Sequence, residues 1–134
     1  MADGTRAARP LSPHLQIWRW TVTMAASITH RATGLALSAG AALLSAWLVA
    51  AALGPQAYAP VAAFVDSPFG LVVLAGFCWS LTFHALNGLR HLYWDAGRGF
   101  ALKHATMTAW LVYIGSIILT VIVFAAGLAA KGGA

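Results

Sequence analysis

The sequence predicts an all-α membrane protein of three transmembrane helices, one part of a multi-subunit helical bundle. Composition is the first reason. Of 134 residues 60% are hydrophobic and only 8% are charged, against roughly a quarter charged in soluble domains. A chain this small cannot cover its own surface with so few polar groups, and so apolar a chain is not intrinsically disordered. The second reason is where the charges fall. Between Arg31 and Asp66 lie 34 uncharged residues, between Asp66 and Arg90 another 23, and between Lys103 and Lys131 a further 27. A spanning helix takes about 20 apolar residues, so each gap holds one span.

Taken in order, residues 1–26 form a cytoplasmic or interfacial N-terminal segment and residues 27–130 the membrane domain, with spans at about 27–53, 68–96 and 105–129. The N-terminal segment does not read as a signal peptide, because no apolar run follows its first arginines at the usual distance. Gly54-Pro55 stops the first span and leaves 55–67 as a connector. Ser67-Pro68 starts the second as an N-cap followed by proline in the first turn, and Asp95-Ala96-Gly97 ends it. The third runs from about Ala105 to Ala129.

Arg6, Arg9, Arg19 and Arg31 precede or open the first span, and Arg90, Arg98 and Lys103 join the second to the third. The outer connection carries only Asp66, and the C-terminus only Lys131. Positive charge gathers on cytoplasmic loops, so the N-terminus is expected in the cytoplasm and the C-terminus outside. Trp18, Trp20, Tyr93 and Trp94 fall where a cytoplasmic aromatic belt would sit. The isoelectric point near 10.2 reflects this loop asymmetry rather than nucleic-acid binding, since the basic residues form no stripe. Cys78, the single cysteine, can neither close an internal disulfide nor hold an iron–sulfur cluster, and reads as a buried filler. Gly34, Ser38, Ala42 and Ala46 recur every four residues, a stripe that would admit another helix closely or that an alanine-rich span produces by chance.

Ionisable groups at membrane depth are costly, so the polar residues of the second span carry information. His84 and His91 are seven apart and share a helix face, with Asn87 and Gly88 between them. If Asp95 marks the interface, His84 lies about 16 Å inward at 1.5 Å per residue. Such an imidazole either makes a helix–helix hydrogen bond or ligates haem iron; Gly88 would let a flat macrocycle approach the backbone. His91, nearer the interface, either meets a propionate or is solvated. Counting the same depth inward from Arg31 reaches Ala42, and from His104 reaches Gly115. On that count His30 and His104 sit at the cytoplasmic ends, so either a second axial histidine comes from another polypeptide or the iron is five-coordinate.

A second constellation stands at the entrance of the first span. Ser27, His30 and Arg31 are three and four apart and can face one pocket. A hydroxyl donor beside a fixed positive charge suits a quinone, whose carbonyls gain negative charge on reduction. Arg31 would equally suit a haem propionate, or snorkel to the interface while Ser27 caps the helix.

Two long motifs then resemble the cytochrome b membrane-anchor subunits of succinate dehydrogenase (succinate:quinone oxidoreductase, respiratory complex II). The first is Arg9-Pro10-Leu11-Ser12-Pro13-His14-Leu15-Gln16, followed by Ser27-Ile28-Thr29-His30-Arg31-Ala32-Thr33-Gly34. The second is the run His84-Ala85-Leu86-Asn87-Gly88-Leu89-Arg90-His91-Leu92-Tyr93-Trp94-Asp95-Ala96-Gly97. The resemblance covers about residues 9–128. It implies that His84 is an axial ligand of one haem b shared with a second small membrane-anchor subunit that supplies the other histidine. It implies that Ser27 and Arg31 belong to the site of ubiquinone or menaquinone, with His30, Arg31 and His91 around the haem propionates. It further implies an iron–sulfur subunit and a flavoprotein subunit docked on the cytoplasmic face, no succinate-oxidising site in this chain, and residence in a bacterial or mitochondrial inner membrane. Two other roles stay open on sequence alone: a haem-free structural anchor, and a fumarate reductase anchor working in reverse. A single-chain anchor with two haems would need four deep histidines.

Overall fold

The computed structural model describes residues 18–132. Arg6, Arg9, His14 and the motif from Arg9 to Gln16 therefore lie outside the described residues. The fold is all-helical, with four helices: α1 (Val22–Leu53), α2 (Pro55–Asp66), α3 (Pro68–Asp95) and α4 (Leu102–Gly132). Three of them, α1, α3 and α4, are long and apolar enough to cross a membrane.

Each start has a local cause. The Thr21 side chain accepts a hydrogen bond from the Met24 amide at 3.3 Å, so α1 begins a turn and more ahead of the expected position at Ser27. The Ser67 hydroxyl accepts from the Gly70 amide at 3.0 Å, and Pro68 follows it in the first turn of α3, where proline loses no helical bond.

The segment 55–67, expected as a plain connector, is a helix of 12 residues. Pro55 takes its first position, and the Tyr58 amide donates to the Gly54 carbonyl at 3.1 Å to close the first turn. Pro60 inside α2 removes one backbone donor. Arg90, within the second span as the sequence bounds it and counted there with the cytoplasmic basic residues, stands inside α3 and is buried.

Helices α1, α3 and α4 meet around Phe83, which is fully buried with Ala26, Ala109 and Val112. Its ring lies 4.9 Å from that of Tyr113 and 5.5 Å from that of Trp79. Most other large apolar side chains point outward; Leu35, Leu53 and Leu102 are each three-quarters or more exposed, as a lipid-facing surface requires. Polar pairs stitch the helices together. Thr29 and Tyr113 join α1 to α4 through their hydroxyls at 2.8 Å, and Thr82 and Thr120 join α3 to α4 at 2.8 Å. Such bonds contribute about 0.6 kcal/mol each in a bilayer, so close packing must supply the rest. Gly40 is where it does so: a Cβ there would overlap the Phe77 ring of α3. Of the small-residue stripe, Gly34 is half-buried, while Ser38, Ala42 and Ala46 are exposed.

An ion pair between Asp66, closing α2, and Lys131, near the end of α4, joins elements at one end of the bundle. Arg19, Arg31, Arg98 and Lys103 belong to the opposite end, where α1 and α4 begin and α3 finishes.

Candidate functional site

The site lies between α1 and α3. His84 Nδ1 is 3.2 Å from the His30 carbonyl oxygen and 3.2 Å from Thr33 Oγ1. Thr33, 2% exposed, donates its own hydroxyl proton to the same carbonyl at 3.0 Å. A carbonyl only accepts, so the network closes when Nδ1 carries the proton and donates to both oxygens. That tautomer leaves Nε2 with a lone pair, and Nε2 makes no hydrogen bond among the described residues. Gly34 completes the socket: a Cβ there would stand 3.1 Å from His84 Cε1. One turn of α1, from His30 to Gly34, therefore receives the ring.

The His30 ring stacks on that of His84, with centroids 3.9 Å apart and planes 12° apart. The depth count had placed Ala42 at the level of His84 and His30 at the cytoplasmic end. The structure corrects it. Helix α1 begins at Val22, nine residues before Arg31, so the residues around Arg31 lie well within the helix. In the antiparallel pair His30, Thr33 and Gly34 come level with His84. The absence of a histidine at that depth therefore no longer argues for a second ligand from outside.

His91 is exposed, its ring 5.3 Å from that of His30 and edge-on to Trp94 at 5.2 Å. Gly88, between His84 and His91 on α3, borders open space, since a Cβ there would meet no atom within 4 Å. A flat group has room beside it. Ser27 and Arg31 are exposed on α1, and His30 is turned from them toward α3. The structure thus divides the constellation: His30 joins the histidine cluster, while Ser27 and Arg31 form a neighbouring polar face open to a further chain or a ligand.

On the far side of α3, Arg90 is 6% exposed. Its Nε donates to Thr108 Oγ1 at 3.0 Å, a terminal nitrogen donates to the Ala105 carbonyl at 3.0 Å, and the other reaches Asn87 Oδ1 at 3.4 Å. The guanidinium also lies 4.0 Å from the centre of the Trp94 ring. Among the described residues it meets no carboxylate, so it acts as a clasp between α3 and α4. Sequence reasoning had assigned no role to Thr33. Its signal was a hydroxyl one turn beyond His30 and next to a glycine, the pair that lets a ring approach a helix and find an acceptor. Cys78 is half-buried and lies outside the site.

Fold and site together define a small helical membrane protein with three candidate spans and a histidine cluster between two of them, one ring nitrogen of which makes no hydrogen bond among the described residues. The family model described as the succinate dehydrogenase/fumarate reductase transmembrane subunit matches residues 5–123. The chain belongs to that family, as its two motifs led us to expect. It is 44% identical over 122 residues to the succinate dehydrogenase cytochrome b556 subunit of Paracoccus denitrificans, covering 91% of this chain and 94% of the relative. It is 34% identical over 116 residues to the b556 subunit of Rickettsia felis, covering 87% and 90%. To the mitochondrial b560 subunit of Mus musculus it is 39% identical over 131 residues, covering 94% and 73%.

Proposed function

We propose that the chain is the membrane-anchoring cytochrome b subunit of a succinate dehydrogenase, holding haem b through His84 together with a histidine of a second small anchor subunit, and forming part of a quinone-reduction site. The observation that carries this reading is the state of His84, whose Nδ1 is bonded within the chain while Nε2 is left as a donor atom. Ligating histidines characteristically bond their other ring nitrogen to a carbonyl or similar acceptor. The open space beside Gly88 and the presence of His30 and His91 near the cluster suit a flat group with anionic side arms. Haem b, when bound, supplies a one-electron acceptor and donor at the interface of the two anchor chains.

The chain's own residues do the following. With haem bound, His84 would hold its iron through Nε2. His30 and His91 meet the propionates, as Arg31 also can. Ser27 donates a hydrogen bond to a carbonyl of ubiquinone or menaquinone, and Arg31 stabilises the negative charge that grows on the quinone oxygens during reduction. Two electrons from succinate oxidation, delivered by a flavoprotein subunit and an iron–sulfur subunit on the cytoplasmic face, and two protons make the quinol. Asp66 ends the short α2 and Asp95 ends α3, and the interiors of the spans carry no acidic residue, so protons reach quinone from the cytoplasmic interface or from partner chains. The N-terminus lies in the cytoplasm and the C-terminus outside, in a bacterial or mitochondrial inner membrane.

The test is a reduced-minus-oxidised spectrum of the purified complex with its subunits identified by mass. A b-type spectrum in a complex with a second small membrane subunit is expected. A complex without haem would leave this chain a structural anchor and overturn the reading.

A further inference from the structure

From the socket geometry we infer that Thr33 is a positioning residue for the haem: beside the His30 carbonyl, its hydroxyl accepts from the protonated Nδ1 of His84 and so holds the ring and raises the electron-donating power of Nε2. The inference rests on His84 being the ligand and assigns a task to a residue that does not itself bind iron.

Three contacts carry it. Thr33 Oγ1 lies 3.2 Å from His84 Nδ1 and donates to the His30 carbonyl at 3.0 Å, and that carbonyl is itself 3.2 Å from Nδ1. The hydroxyl proton is committed to the carbonyl, so toward the imidazole Thr33 can only accept. With the hydroxyl gone, Nδ1 keeps one acceptor, the His30 carbonyl at 3.2 Å, and the ring is held less firmly. The site is buried, with Thr33 2% exposed, so water does not replace the lost oxygen readily. An acceptor on Nδ1–H pushes electron density toward Nε2, which favours the ferric over the ferrous state. Its loss weakens the ligand and raises the reduction potential. Outer-sphere partners of this kind typically change metal affinity by about 10- to 100-fold.

The experiment uses the purified whole complex carrying Thr33→Val, which keeps the volume and removes the hydroxyl, with Thr33→Ala as a second variant that adds no methyl to the socket. Two quantities are read: the rate at which haem passes to an excess of a haem-scavenging protein, and the haem midpoint potential in a redox titration. In both variants haem loss should be roughly tenfold faster and the potential more positive. Thr33→Ser should restore both. Parental values in the valine and alanine variants would overturn the inference, as would a defect that serine fails to restore, which would mark Thr33 as packing only. His84→Ala separates the two levels. If it retains the haem, the ligand reading fails; if it loses the haem while Thr33→Val behaves as parent, only the role of Thr33 fails.

Discussion

His30 and His84 meet face to face, their ring centroids 3.9 Å apart and their planes 12° from parallel. This contact places a second imidazole beside the proposed ligand without giving it a ligand's geometry. Replacement of His30 by Ala should leave a b-type spectrum in the purified complex, with at most altered intensity or potential. Loss of the spectrum as complete as in a His84 variant would mean that His30 binds iron after rearrangement.

Ser27 and Arg31, exposed on α1, should act on quinone rather than on assembly. Ser27→Ala and Arg31→Ala should lower quinone reduction, the arginine change on the order of a hundredfold if it removes a charge that stabilises the developing anion. Succinate oxidation by an artificial soluble acceptor should survive in both variants. Loss of both activities together would show instead that these residues hold the complex together.

Arg90 should matter for stability. Its guanidinium bonds to Thr108, Ala105 and Asn87 and covers Trp94. Arg90→Ala removes these bonds across α3 and α4 and leaves the buried Asn87 Oδ1 without its donor, which should cost about 1–3 kcal/mol, read as a lower thermal inactivation midpoint of the detergent-solubilised complex. Arg90→Lys should recover little of it, because an ammonium cannot span the three acceptors as the planar fork does. A midpoint unchanged in both variants would remove the clasp.

Gly40 sets the approach of α1 to α3. Gly40→Ala should destabilise by roughly 1–3 kcal/mol through overpacking against Phe77, and Phe77→Leu in the same chain should return part of that loss. Simple additivity of the two changes in thermal stability would show that the ring and the glycine do not limit each other.

The long helices were legible because the charges bracket them: with Arg31, Asp66, Arg90, Lys103 and Lys131 as markers, each apolar stretch has the length of one membrane crossing. Helix α2 was hidden by Gly54 and Pro55, residues that announce a turn but at these positions are compatible with a short helix. The level of His30 was misjudged for a physical reason. A long basic side chain can reach the interface from well inside a helix, so Arg31 does not mark where α1 begins, whereas the Thr21 cap does. Arg90 lies within the second span on sequence as in the structure, but its partners Asn87, Ala105 and Thr108 become visible only once α3 and α4 are packed. His84 stood out as the deep ionisable group of the second span, but its partner Thr33 is one hydroxyl among many until the register of α1 against α3 is known.

The most direct measurement is the reduced-minus-oxidised optical spectrum of the purified complex carrying His84→Ala, with complex assembly checked on the same preparation. Ligation through Nε2 of His84 predicts that the b-type spectrum disappears or is strongly perturbed while the subunits remain together. An assembled complex with the parental haem spectrum would contradict it.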